Sequence, residues 1–424
     1  MRRVVTILLA GGAGERLAPL TRDQPKPMMP FGGTYRLIDI PLSNCLNSGL
    51  SRIYVLTQYK ALSLHRHIRE AWNILSPELD QFIEAIPPTQ RQRNTWYLGT
   101  ADAVYQNIQT IEEEDAEVAL ILSADHVYKM NYRYMVERHF AERADVTVAT
   151  TQVTPHESSR FGIVQMENDH RIRGFEEKPS PDRATRSHFN PDACSASMGI
   201  YLFSVPVLLE ALLEDAADES SSHDFGVDVL PRLVHRRRVL AYDFIDENKK
   251  EVRYWRDVGT LDAYYEANMD LVAVTPVFNL YDQGWPLRTA PARFPPAKFI
   301  FAEEGRRMGI AMDSLIAHGC IISGGRVTRS VLSPGVRINS HSVVEDSIIF
   351  PGVEVGGYSR IRRAIIDQNL RLPEHTVIGI DPDADRKAGH FVSDSGLVVV
   401  HPESPGITLV VPPRVRNTAE TRPL

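Results

Sequence analysis

The most constraining feature of the chain is a 17-residue repeat in its C-terminal third. Leu315, Leu332, Ile349 and Ile366 recur at that interval. So do Ile321, Ile338, Val355 and Leu372, and so do Val327, Val344, Ile361 and Ile378. Within each turn the steps are six, six and then five residues. Three aliphatic columns at this spacing describe a coil with three flat faces, each sending one side chain inward. Stacked coils bury the columns continuously, as in a β-solenoid. A heptad helix needs steps of three and four. An ordinary sandwich of short strands leaves the shared register of the three columns unexplained. Gly319, Gly335, Gly352, Asn339 and Asn369 are the small or turn-forming residues suited to the corners.

Ahead of the repeat, up to about residue 275, short apolar runs alternate with helical patterns. Val4–Ala10, Arg52–Thr57, Val118–Ser123 and Val146–Thr151 read as strands. Pro41 opens a helix that Gly49 closes, and Asn131–Arg143 reads as another. The alternation predicts parallel strands with helical crossovers, hence an α/β sheet. The first strand is apolar throughout, which fits burial on both faces. Residues 276–305 carry Pro276, Pro286, Pro291, Pro295 and Pro296 and read as a linker packed between domains. The expected division is therefore 1–275, a linker at 276–305, a repeat domain at 306–400 and a tail at 401–424. The tail is polar and proline-rich apart from Ile407–Val411.

With 424 residues the chain is long enough for two domains. A formal charge of −7 argues against a general nucleic-acid binder. No segment has the apolar length to span a bilayer, so no membrane partner is expected. Met1-Arg2-Arg3 and the apolar run after it resemble a signal peptide, but the run spans only seven residues before glycines follow. Cys45, Cys194 and Cys320 are far apart and form neither a zinc signature nor a disulfide framework. That suits a reducing, cytoplasmic setting.

Several segments carry chemistry. Leu9-Ala10-Gly11-Gly12-Ala13-Gly14-Glu15-Arg16-Leu17 directly follows a strand. Glycines let backbone N–H groups approach a phosphate chain, and Arg16 adds a fixed cation. The segment is neither a Walker A loop nor a dinucleotide fingerprint. Taken alone, such a turn is more often structural. Lys26, between Pro25 and Pro27, adds a second cation nearby in sequence. Asp125, in Ser123-Ala124-Asp125-His126, ends an apolar strand, where open α/β sheets place their ligand crevice. A carboxylate there suits Mg²⁺; a turn or cap aspartate is the equal alternative, and His126 reads as structural. Asp257, in Trp255-Arg256-Asp257-Val258-Gly259-Thr260, belongs either to the start of a helix or to the same metal. Glu177 and Lys178 could bind sugar hydroxyls and a phosphate, or form a solvated charge run. The segment Trp96-Tyr97-Leu98-Gly99-Thr100-Ala101-Asp102-Ala103 mixes aromatic surface with a tight turn.

Together and in this order, these segments resemble the bacterial glucose-1-phosphate adenylyltransferase (ADP-glucose pyrophosphorylase) family. The most specific stretches are Leu42–Gly49, Gly99–Ala103, Ala196–Tyr201 and Tyr254–Thr260. The resemblance spans nearly the whole chain to about residue 400. It implies a Rossmann-like nucleotidyltransferase domain followed by a left-handed parallel β-helix. It also implies transfer of AMP from ATP to glucose 1-phosphate, with Mg²⁺ as cofactor, for glycogen or another α-glucan. By resemblance, Arg16 and Lys26 contact phosphates, and Asp125 with Asp257 holds Mg²⁺. Leu9, Ala10, Gly11, Gly12, Gly14, Gly99 and Thr100 fall at the nucleotide. Tyr97, Gly162, Glu177, Lys178 and Ser197 match positions that bind the sugar phosphate. Gln58 and Trp96 match positions linked to communication with a regulatory site. A homotetramer and small-molecule allosteric effectors are implied as well.

The chain departs from many bacterial relatives around Lys26. It reads Arg22-Asp23-Gln24-Pro25-Lys26 where they carry basic residues, and Pro30-Phe31-Gly32-Gly33 where they carry a histidine. Arg36 remains, which points to a retained but altered anion site. The rival readings are a pyrophosphorylase for UTP, dTTP or GTP, and a non-catalytic scaffold of the same two-domain build. A bifunctional acetyltransferase has little room, because only four clear turns are present.

Overall fold

The four apolar runs fold as strands. Val4–Ala10, Arg52–Thr57 and Val118–Ser123 match residue for residue, and the fourth extends to Val146–Val153. The computed structural model, which describes residues 4–12, 14–88, 96–291, 293–303 and 307–410, joins them in one nine-stranded sheet. Its order is Ile172–Glu177, Gly162–Met166, Cys194–Ser204, Val118–Ser123, Val4–Ala10, Arg52–Thr57 and Phe82–Ile86. Val146–Val153 pairs beside Cys194–Ser204 and carries Val239–Asp243 on its other side.

Val4–Ala10 runs parallel to both neighbours and is buried on both faces. Val5 and Ile7 pack with Ile121 and Phe203, whereas Leu8 and Ala10 pack with Val55 and Leu120. Cys194–Ser204, in contrast, runs antiparallel to Val118–Ser123 and Val146–Val153, so the sheet is mixed. An apolar strand looks the same in either direction, so hydrophobic pattern alone carries no polarity. The predicted helices form as Asp39–Asn47, with Pro41 in its first turn, and Tyr132–Ala141. The Asn131 side chain caps the latter by accepting the Arg133 N–H at 3.1 Å.

The chain divides into two compact units. The first comprises Met1–Phe31, Tyr35–Ala267 and Thr275–Pro291; the second comprises Gly32–Thr34, Asn268–Val274 and Ala292–Leu424. The proline-rich stretch expected at 276–305 is thus split between them. Its first half is bonded into the first unit. Trp285 Nε1 donates to Asn44 Oδ1 at 2.8 Å, and the buried Lys129 ammonium donates to the Asn279 carbonyl at 2.7 Å. Residues 292, 304 and 305 of that stretch, residue 306 after it and 411–424 of the tail lie outside the described residues.

The second unit contains a left-handed parallel β-helix with three sheets, one per face, whose coils pair in parallel; Thr408–Leu409 and Phe391–Val392 add antiparallel pairs at two of them. Val327, Val344, Ile361 and Ile378 stack in register inside it, all at most 1% exposed. The first coil corrects the sequence reading. It holds 16 residues, because Ile316 pairs with Leu332 and Ile322 with Ile338. Ile316 and Ile322 therefore fill the columns assigned to Leu315 and Ile321. The two adjacent isoleucines at 321 and 322 made the register ambiguous by one residue. After Ile378 the coil is interrupted by the helix Pro382–Lys387, and the column resumes when Ile366 pairs with Val400.

The corners are left-handed. One carries Gly319, Gly335, Gly352 and Asn369, all with φ between 57° and 76°. Asn339, expected at a corner, has no positive φ; its amide oxygen accepts from Arg337 Nε at 3.0 Å. The other two corners hold bulky residues that a search for small ones misses. Non-glycine residues pay about 1–2 kcal/mol for this conformation, and cross-coil contacts offset it. His341, Tyr358 and His375 stack their rings at 4.7 and 5.1 Å between centroids. Arg329 grips Asp346 of the next coil with two bonds of 2.7 and 2.8 Å.

Candidate active site

A cavity of about 450 Å³ opens at the C-terminal ends of Val4–Ala10 and Val118–Ser123 in the first unit. The chain crosses from one side of Val4–Ala10 to the other at this point, the position where open α/β sheets bind ligands. Gly11 and Gly12 line it directly after the first strand. Gly12 has open space where a side chain would be, so its backbone is free to approach a ligand. Gly14 has φ +69°, and a Cβ there would lie 3.0 Å from the Thr21 side chain and 3.1 Å from Lys26. The turn and the lysine therefore pack on each other.

Lys26 is buried in a short 3-10 helix that starts after Pro25. Its ammonium lies 2.7 Å from Asp125 Oδ2 and 3.9 Å from Asp257 Oδ1. His126 Nε2 faces the same two carboxylates at 3.5 and 3.9 Å. Asp125 and Asp257 thus converge, although 132 positions separate them. They do so because His126–Tyr128 pairs with Trp255–Asp257 as a two-stranded ribbon. Arg16 arrives from the glycine-rich side, since a Cβ on Gly259 would be 3.3 Å from its guanidinium and 3.0 Å from the Asp257 carboxylate. Burial opposes ionisation of Asp125. The Lys26 and His126 charges and the bonds from Lys26 and Ser123 outweigh it and hold the carboxyl well below the usual carboxylate range.

This donor set suits a hard cation. Two carboxylates leave most of a six-oxygen shell to water and phosphate, the manner in which Mg²⁺ is usually held. Among the described residues no group of three or more His, Cys, Asp or Glu side chains makes a closed metal cage.

The far end of the cavity is acidic and aromatic. Glu177 ends the strand Ile172–Glu177, and its carboxylate meets Lys178 Nζ at 2.6 Å. A Cβ at Gly162 would come within 2.8 Å of Glu177 Oε2, so the glycine leaves the carboxylate its place. Ser197 is buried where the strand Cys194–Ser204 bulges, and Gly199, at φ +67°, turns that bulge. Tyr97, Gly99 and Thr100 close another side. Burial pushes the Tyr97 phenol up, against a bond from Asn107.

Residues 5–273 match a family described as nucleotidyl transferase, and residues 295–400 match a GlmU-like C-terminal hexapeptide family. A glucose-1-phosphate adenylyltransferase of Koribacter versatilis is 57% identical over 94% of this chain and 95% of its own length. One of Rhodopirellula baltica is 54% identical over 94% and 90%, and one of Vibrio cholerae, numbered 2, is 47% identical over 95% and 98%. The chain belongs to the glucose-1-phosphate adenylyltransferase family. Nucleotidyltransferases of this kind generally work with a divalent metal.

For a member of this family, the cavity gathers most of the residues singled out in the sequence. Leu9, Gly11, Gly12, Lys26, Asp125 and Glu177 line it, and Tyr97, Gly99, Thr100 and Gln58 do as well. Gln58 packs on the glycine loop, its Oε1 3.0 Å from where a Gly11 Cβ would be. Ala10 is buried behind the loop. Gly14, Arg16, Gly162, Lys178, Ser197, Asp257, Trp96 and Arg36 are not in the lining. Trp96 is 58% exposed. The Arg36 guanidinium donates to the Met28 carbonyl at 3.4 Å, and the Arg36 backbone N–H donates to the fully buried Asp39 carboxylate at 2.8 Å.

His126, Asp224, Phe225 and Gly226 also line the cavity, and sequence reasoning missed them as site residues. The run Ser221-Ser222-His223-Asp224-Phe225-Gly226 held a signal, since it combines polar side chains with a glycine between two helical patterns. The three cysteines are free and buried. Among the described residues no helix is long and apolar enough to cross a membrane.

Proposed function

We propose that the protein transfers AMP from ATP to α-D-glucose 1-phosphate, releasing pyrophosphate and forming ADP-glucose for glycogen or another α-glucan. The observation that carries this reading is the polarity of the cavity at the strand ends. The glycine loop, Lys26 and Asp125 line one end, with Asp257 beside them, and Glu177, bonded to Lys178, lines the other; we read these as the phosphate and sugar ends. In this reading Leu9, Ala10, Gly11, Gly12, Gly14, Gly99 and Thr100 surround the nucleotide. Arg16 and Lys26 offset phosphate charge. Tyr97, Glu177, Lys178 and Ser197 receive the sugar phosphate, and Gly162 acts by making room for Glu177.

The sugar phosphate already carries an anionic oxygen, so no side-chain nucleophile is needed. That oxygen attacks the α-phosphorus of ATP, one P–O bond forms, and the bond to pyrophosphate breaks. Catalysis then rests on alignment and charge neutralisation. Asp125 and Asp257 would hold Mg²⁺, which when bound neutralises phosphate charge. Lys26 and Arg16 keep the two polyanions together, and the cavity walls fix the line of attack.

The reading extends to a cytoplasmic homotetramer, with residues 1–275 as catalytic domain and 306–400 as β-helix domain. Gln58, Trp96 and Arg36 would link catalysis to small-molecule effectors. Pyrophosphate release across a matrix of nucleoside triphosphates and sugar 1-phosphates with Mg²⁺ tests the reaction. Release with ATP and glucose 1-phosphate above all other pairs is expected; preference for UTP, dTTP or GTP, or no release at all, overturns it. Titration with sugar phosphates and pyruvate tests the effector site, and a flat response to all of them removes it.

A further inference from the structure

We infer that Asp215 and His223 form a positioning pair that sets the sugar side of the cavity without touching it. This rests on the proposed use of that cavity for a sugar phosphate. Asp215 lies in the last turn of the helix Val205–Ala216 and is 3% exposed. Its carboxylate faces His223 Nδ1 at 2.8 Å and accepts from Ser221 Oγ at 2.7 Å. A buried carboxylate is retained only where such partners compensate its lost hydration. Here both partners belong to one loop. The pair holds His223 at φ +57°, a left-handed conformation that a residue with a Cβ resists.

That conformation aims the His223 carbonyl at the start of the helix Thr100–Tyr105, where it accepts from Ala101 N at 2.8 Å and Asp102 N at 3.3 Å. The approach is so close that a Cβ on Gly99 would overlap the backbone of Ser222 and His223. The next residues then enter the cavity wall. Asp224 accepts from Thr100 Oγ1 at 3.0 Å, and Phe225 N donates to the same hydroxyl at 3.0 Å. The other Asp224 oxygen caps Gly226 N at 2.8 Å. Gly226 abuts Glu177, since a Cβ there would lie 2.8 Å from Glu177 Oε2 and 3.3 Å from Asp224 Oδ1. Two carboxylates, acceptors suited to sugar hydroxyls, are thus spaced by a loop whose buried anchor is Asp215.

The effect should fall on one substrate. Gly226 and the spacing to Glu177 depend on this loop. The Gly99–Thr100 turn has a second support, because Asp102 Oδ2 accepts the Leu98 N–H at 2.8 Å. Steady-state kinetics of the full chain would be compared for wild type, Asp215→Asn, His223→Ala and His223→Asn. Asparagine tolerates the left-handed conformation and keeps a donor near the Nδ1 position.

We expect His223→Ala and Asp215→Asn each to raise KM for glucose 1-phosphate roughly tenfold, the scale of one hydrogen bond to a charged group. KM for ATP and kcat should stay within about threefold, His223→Asn should recover most of the loss, and the double variant should be no worse than either single one. Equal rises in both KM values, unchanged kinetics with only a lower melting temperature, or no recovery in His223→Asn would overturn the pair. If Asp215→Asn does not fold, the two His223 variants decide. A wild type inactive with ATP and glucose 1-phosphate would instead sink the functional reading. An active wild type with unaltered variants would sink the pair alone.

Discussion

The Lys26 ammonium lies 2.7 Å from Asp125 Oδ2, across 99 residues of sequence. This ion pair joins the loop after the first strand to the end of the strand Val118–Ser123. It favours the ionised form of Asp125 at the place where phosphates and a cation would meet. The lysine side chain is the more buried of the two, 9% exposed against 27%, so its charge depends on the carboxylates around it or on a ligand for compensation.

Asp125→Asn keeps the shape of the side chain and removes its charge. Turnover should fall by roughly 10²–10³-fold, the scale of losing one preorganised electrostatic stabiliser. Pyrophosphate release at saturating substrates measures it. Activity close to wild type would remove Asp125 from the mechanism.

The same pair makes stability depend on pH in the acid range. The folded protein holds Asp125 below its ordinary value of 3.8. A depressed carboxyl stabilises the fold fully above the unfolded value and loses that contribution as pH falls through the interval below it. Urea unfolding at about pH 6, 4 and 3 should therefore show wild type and Asp125→Asn converging as the pH drops below about 4. A stability difference that stays constant over that range would contradict the assignment.

Lys178 is more than half exposed on its side chain and pairs with Glu177, so its removal should leave the fold intact. A charge-assisted hydrogen bond is worth about 1.5–3 kcal/mol. Lys178→Ala should then weaken the sugar phosphate interaction about ten- to hundredfold, seen mainly in KM if the contact is the same in ground and transition states. An unchanged KM for glucose 1-phosphate would count against the contact.

Ile361 sits in the middle of an inward column of the β-helix, 1% exposed between Val344 and Ile378. Ile361→Ala should cost about 2–5 kcal/mol through lost burial and the cavity left behind. Equilibrium denaturation followed by circular dichroism reports it. A loss below about 1 kcal/mol would mean that the column is not close-packed.

Much of the fold was legible because its signals are local. Continuous apolar runs marked three strands to the residue, and the column Val327, Val344, Ile361, Ile378 marked one face of the β-helix. Register failed where two isoleucines stand side by side, at 321 and 322, since either can point inward. The expected parallel sheet proved mixed because Cys194–Ser204, not read as a strand, inserts antiparallel to Val118–Ser123, and apolar character has no polarity. In the site, the glycine loop and Asp125 were legible from their place after strands. His126 and Asp224 were not, because a single polar residue gains meaning only from what faces it.

The sequence by itself determined the period of the β-helix, the strands flanking the cavity and the family of the chain, all properties of short segments read in order. Tertiary structure alone decided that Lys26, Asp125 and Asp257 share one point, and that the His223 carbonyl meets the helix carrying Thr100. The reason is physical. Hydrophobic periodicity dictates which face of each segment is buried, whereas the order and direction of strands in the sheet dictate which distant segments meet.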